Sequence, residues 1–142
     1  MVYPLPSELL PHTGHAVLVD EILEQDDAGI RVRACITPAH PFFVAGQGVP
    51  AWVGIEMMAQ AVATHAGLLG RRAGRGPRQG MLLGTRRYRA RVPWFAEGMA
   101  LDVHAATAFG QDGGMAACDC RIEGREELLA EATIIIMEGA LP

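Results

Sequence analysis

Residues 51–70 contain no proline, close on Gly70 and are followed by Arg71 and Arg72. A glycine past the last turn and cations near the last carbonyls mark a helix end. The pattern predicts a helix over 51–70, which at about 1.5 Å per residue spans about 30 Å. Its only polar side chains are Glu56, Gln60, Thr64 and His65. A helix apolar almost all round either crosses a membrane or is enclosed by other elements. Glu56 in its first half is costly in lipid, and the flanking segments read as ordinary strands. No membrane span is expected, so the rest of the chain must wrap this helix.

Strand patterns supply the wrapping. Residues 16–24 begin apolar, and residues 30–36 alternate, with Ile30, Val32, Ala34 and Ile36 opposite Arg31 and Arg33. Asp26, Asp27 and Gly29 form a turn between them, giving a hairpin. Four strands follow the helix, at about 81–92, 99–109, 115–122 and 128–137, with turns at 111–114 and 123–126. Hairpin, helix, then antiparallel meander predicts an α+β chain, a curved antiparallel sheet around one central helix. Residues 7–10 read as a short helix capped by Ser7 and ended by Pro11.

Composition narrows the classes. A chain of 142 residues, 50% hydrophobic and 20% charged, fits one domain, residues 1–142, and excludes a disordered chain. A net charge of −4 argues against a dedicated nucleic-acid binder. Cys35, Cys118 and Cys120 lack Cys-x-x-Cys spacing and read as buried reduced thiols. Cys118 and Cys120 share a strand face. Residues 1–6 have neither a basic start nor an apolar run, so no signal peptide is expected and the protein is expected in the cytoplasm.

Several groups could carry chemistry. Glu56, Gln60 and Thr64 lie four residues apart and form one polar line on the helix. The line faces either a polar patch or partner, or a cavity in which Glu56 works as an acid or base. A carboxyl group among apolar side chains holds its proton more tightly and can donate it near neutral pH. Gly46 and Gly48 before the helix form either a plain loop or a place where backbone approaches a ligand, with helix-start N–H groups as donors. His12, His15, His40, His65 and His104 form no metal-binding pair, and no metal is expected. His40 opens the loop into the helix. Eight of the twelve arginines lie in residues 71–91. Arg87, Arg89 and Arg91 alternate onto one strand face, either as a solvated face or as a patch for an acidic partner.

Three blocks, in order along nearly the whole chain, give the sequence a family resemblance. The first runs from Leu9 through Pro11 and His12 to Asp20. The second is Pro41, Phe42 and Phe43, then Val49 through Trp52 and Glu56 to Gln60. The third runs from Tyr88 through Pro93 and Phe95 to Leu101. Together they resemble the hotdog-fold 3-hydroxyacyl-acyl-carrier-protein dehydratases, and most closely the dehydratase-like proteins of aryl polyene lipid clusters.

The resemblance implies a hotdog fold, and a homodimer or a hetero-oligomer with a paralogous dehydratase. It implies a substrate held as a thioester on acyl carrier protein or coenzyme A, with no other cofactor. It places the catalytic glutamate at Glu56. Gln60, Trp52, Gly48 and the backbone N–H of Ala51 would bind substrate, the last holding the thioester carbonyl. Arg87, Arg89 and Arg91 would dock the carrier. The family's catalytic histidine has no counterpart: its place falls on Phe42, or on Gly46 when aligned from the Pro41 side, in a shortened loop. His40 is the nearest substitute. Dehydration in fatty-acid or polyene lipid synthesis is the expected activity. A thioesterase, or an acyl-binding subunit without catalysis, are the alternatives.

Overall fold

In a computed structural model, described here for residues 2–74, 80–110 and 115–138, one helix lies against one large sheet. Strand β1 (Glu21–Gln25) and strand β2 (Gly29–Cys35) form the first hairpin, closed by Asp26, whose Oδ1 accepts from Ala28 N–H at 2.8 Å and Gly29 N–H at 2.9 Å. A two-residue strand, β3 (Val49–Pro50), leads into a 3₁₀ turn at Ala51–Val53 and helix α1 (Gly54–Arg72). Strand β4 (Gly80–Ala90), the short β5 (Trp94–Phe95), β6 (Ala100–Gly110), β7 (Met115–Gly124) and β8 (Glu127–Glu138) complete the chain. The main sheet is antiparallel, in the order β1-β2-β6-β7-β8-β4, and β3 pairs with β5.

Every residue from Val53 to Gly70 is buried or half-buried, as an apolar helix requires. α1 packs against β2, β4, β6, β7 and β8. The sheet face beneath it is built from cross-strand rows such as Val32, Val103, Ile122 and Ala130, then Ile30, Ala105, Cys120 and Ala132. The small members of these rows let the helix axis come close. Gly54 shows the same demand, since an added Cβ there would run into the Tyr88 hydroxyl and Ile122. The outer face carries charge: Arg31, His104, Arg121, Glu131 and Arg89 follow one another across five strands.

Several expectations are corrected. The later strands are not one meander: β4 pairs with β8 at the far edge, and β2 takes the place beside β6. Residues 16–20 are not strand, because Gly14–Ala16 form a 3₁₀ turn and Leu18 N–H bonds to a helix side chain. The first short helix is a 3₁₀ turn at Pro6–Glu8 entered from Leu5, so Ser7 lies inside it. Cys118 and Cys120 are buried on one face, but Cys35 is exposed at the end of β2. Burial pushes the Cys120 thiol well above its ordinary pKa. The second turn exists, with Arg125 and Glu126 both at positive φ in a two-residue hairpin. The turn at 111–114, and Arg75 and Arg78, lie outside the described residues. Among the described residues no helix is long and apolar enough to cross a membrane, and no three His, Cys, Asp or Glu side chains cluster to hold a metal.

Candidate active site

A cavity of about 670 Å³ opens between the N-terminal segment, the loop before the helix and the first turn of α1. His12, His15, Ala16 and Leu18 line one side; Pro41 and Phe42 line a second; Trp52, Val53, Ile55 and Glu56 line the third. Trp52, 61% exposed, meets Phe42 edge to face at 5.4 Å. Apart from Glu56 and the two histidines, the wall is hydrocarbon, aromatic ring and backbone.

Glu56 is not stranded in the core, as an isolated reading of the helix implies. Its side chain is 46% exposed, on the cavity wall. Its Oε1 lies 3.4 Å from His12 Nε2 and accepts from Gln60 Nε2 at 3.2 Å. Gln60 is almost fully buried, and its amide is otherwise engaged by backbone. Leu18 N–H donates to Oε1 at 2.7 Å, and Nε2 donates to the Ala16 carbonyl at 2.7 Å. Those two partners permit only one orientation of the amide. Gln60 therefore bonds to the chain itself and is not among the cavity's lining. Thr64 donates to the Gln60 carbonyl at 2.7 Å inside the helix. The polar line ties the N-terminal segment to α1 and leaves only Glu56 facing the cavity.

His40 sits elsewhere in its loop. Phe42 N–H donates to its Nδ1 at 3.1 Å, and its Nε2 is buried without a hydrogen-bond partner among the described residues. It does not line the cavity. Burial lowers its pKa, partly offset by Asp20. With Nδ1 already accepting a backbone N–H, the neutral ring carries its proton on Nε2 and has no free lone pair to act as a base.

Ala51 and Gly48 are also engaged within the fold. Ala51 N–H donates to the Pro93 carbonyl at 3.0 Å, and Tyr88 O–H donates to the Ala51 carbonyl. The donor that the resemblance placed at Ala51 is thus already used. Burial pushes the Tyr88 phenol up to about 12. Gly48 has φ +115° and donates its N–H to Val44; a Cβ there would strike the Phe95 carbonyl. Its glycine serves the approach of β3 to β5, not the cavity.

The sequence profile of the ApeP-like family, whose description is ApeP dehydratase, matches residues 4–140. The chain belongs to the ApeP-like dehydratase family. It superposes on a chain of the dehydratase heterocomplex ApeI:P from Xenorhabdus doucetiae with a TM-score of 0.90 and 26% identity, covering 98% of this chain and 93% of that one. A hypothetical thioesterase from Streptococcus pneumoniae, solved with coenzyme A, matches with a TM-score of 0.67 at 12% identity, over 84% of this chain and 85% of that one. The PaaI protein of the E. coli phenylacetic acid degradation operon matches with a TM-score of 0.65 at 14% identity, over 82% and 80%. No curated protein matches the chain. The fold is the hotdog fold: one central helix against a large antiparallel sheet.

In this ApeP-like chain the arginines of β4 do not alternate as a regular strand would place them. A bulge between Arg86 and Arg89 puts Arg87 at φ 56°, while Arg89 lies opposite Glu131. Arg87, Arg89 and Arg91 are all exposed. The residue that sequence reasoning left unassigned is His12. It belongs to the first family block, but no spacing rule links it to Glu56, because a loop and a hairpin separate them in the chain.

Proposed function

We propose that this protein removes water from 3-hydroxyacyl chains held as thioesters on acyl carrier protein or coenzyme A, in fatty-acid or polyene lipid synthesis in the cytoplasm. The observation that carries the reading is a carboxyl group, Glu56, beside His12 on the wall of a mostly apolar cavity in an ApeP-like dehydratase fold. An acyl chain enters such a cavity for its hydrocarbon. Glu56 protonates the departing C3 hydroxyl, which turns a poor leaving group into water. Trp52 and Phe42 at the cavity edge bear on the chain beside the thioester. The exposed Arg87, Arg89 and Arg91 receive the acidic carrier. The partner is a second copy or a paralogous dehydratase subunit, in line with the heterocomplex formed by the Xenorhabdus relative.

Thioester hydrolysis is the second reading. A half-exposed Glu56 can activate water, so a hydrolase needs no further base. A subunit that only binds acyl chains would show neither reaction. Incubation with 3-hydroxyacyl thioesters, followed by mass spectrometry, separates these. Dehydration gives an acyl chain lighter by one water and still attached to its thiol. Free thiol with the hydroxyl retained would replace this reading with the hydrolase.

A further inference from the structure

Dehydration needs one group to take the C2 proton and another to give a proton to the C3 hydroxyl. Glu56 takes the second role, and the His40 lone pair is held by Phe42 N–H. We propose that His12 is the general base, so that a single subunit carries the whole acid–base pair; this rests on the dehydratase reading above.

C2 and C3 are adjacent, so the two groups that serve them must sit within a few ångströms of one another. His12 Nε2 and Glu56 Oε1 are 3.4 Å apart, and both residues line the cavity. That distance is long for a hydrogen bond, as expected of a catalytic pair that has not yet closed on substrate. The ring also has only one working nitrogen. Nδ1 is buried and has no hydrogen-bond partner among the described residues, whereas Nε2 points to the carboxylate. Proton exchange with anything in the cavity runs through Nε2.

The pair is held by Gln60. One amide donates to the Ala16 carbonyl, accepts from Leu18 N–H and donates to Glu56 Oε1. It therefore sets the path of the segment that follows His12 and the direction of the Glu56 carboxyl together. Gln60 is a positioning residue: it acts on substrate only through the other two.

The step balances within the pair. The Nε2 lone pair takes the C2 proton, and the C2–H electrons become the C2=C3 double bond. The C3–O bond breaks, and the hydroxyl leaves as water with the Glu56 proton. An imidazolium and a carboxylate remain side by side. The proton then passes from Nε2 to Oε1, which restores the starting state with no net gain or loss of protons.

The test uses the assembled protein and 3-hydroxyacyl-carrier thioesters, read by mass spectrometry. The variants are His12→Gln, His12→Ala and, as a control on the outer sheet face, His104→Gln. The expected result is a fall in kcat of about 100-fold or more in both His12 variants, with KM little changed. His104→Gln keeps its activity. Added imidazole restores part of the His12→Ala rate, because the cavity is open to it. If wild type dehydrates and both His12 variants stay within about threefold of it, the base lies elsewhere and the dehydratase reading survives. If wild type releases free thiol and forms no enoyl product, the reading and the base fall together.

Discussion

Replacing Gln60 by leucine removes a buried side chain that ties α1 to the backbone of the N-terminal segment, and its cost can be worked from the bonds. Leucine is similar in size and suits a helix, so packing changes little. Leu18 is buried, and its N–H loses a 2.7 Å acceptor with no water to replace it. A stranded buried donor costs about 1–3 kcal/mol. Ala16 is exposed, so water can take over its carbonyl, at a net loss of about 0.5–1.5 kcal/mol. The sum is about 1.5–4.5 kcal/mol, or a fall in Tm of roughly 10 °C for a chain of this size. Gln60→Glu keeps an acceptor for Leu18 N–H but turns a carboxylate toward the Ala16 carbonyl and Glu56, so its loss should shrink when the medium is acidified. Urea denaturation of the three proteins measures both effects. A Gln60→Leu variant within about 0.5 kcal/mol of wild type would show that the Leu18 and Ala16 bonds do not hold the segment.

Other outcomes follow from the same structure. Gly48→Ala forces a Cβ against the Phe95 carbonyl at a φ that alanine avoids, and should cost about 2 kcal/mol or more; thermal melting checks it. Tyr88 is neutral in the folded protein up to about 12, whereas the unfolded chain loses that proton near 10, so stability should fall as pH rises between those values. Denaturation at stepped alkaline pH should show that slope in wild type and a flatter one in Tyr88→Phe. His104 has its pKa lowered by burial and by Arg121. It therefore contributes stability that is lost as pH falls below the ordinary histidine value, and His104→Gln should flatten that acid limb. Substituting Arg87, Arg89 and Arg91 by alanine should raise KM for carrier-bound substrate at low salt and leave it unchanged at high salt, since exposed charge steering is screened. Kinetics that are identical at both salt levels would make the arginines a plain solvated face.

How much of this was legible in the sequence depended on whether the signal was local. The helix could be read because an apolar surface all round leaves few places for it to lie. Strand β2 could be read from strict alternation, and the family from three blocks in register. Strand order could not: β4 pairs with β8, forty residues or more later, and nothing local names that partner. The segment 16–20 has a strand's composition, but Gln60 claims the Leu18 N–H that a ladder would use. The bulge at Arg87 defeats a face assignment made from alternation. Within the site, Glu56 was legible as a carboxyl group on an apolar helix. Ala51 N–H looked like a free helix-start donor only because the return of Pro93 onto it is a tertiary event. His12 was one of five histidines, and only the fold brings it to the carboxylate.

The central claim is that Glu56 is the acid of a dehydration carried out in the apolar cavity. It is tested most directly by a single-turnover measurement with Glu56→Gln and a carrier-bound 3-hydroxyacyl chain. The amide keeps the shape and the bond to Gln60 but cannot deliver a proton. The account predicts that substrate still binds while formation of the enoyl product falls by about 100-fold or more. An undiminished rate of water loss in Glu56→Gln would contradict it.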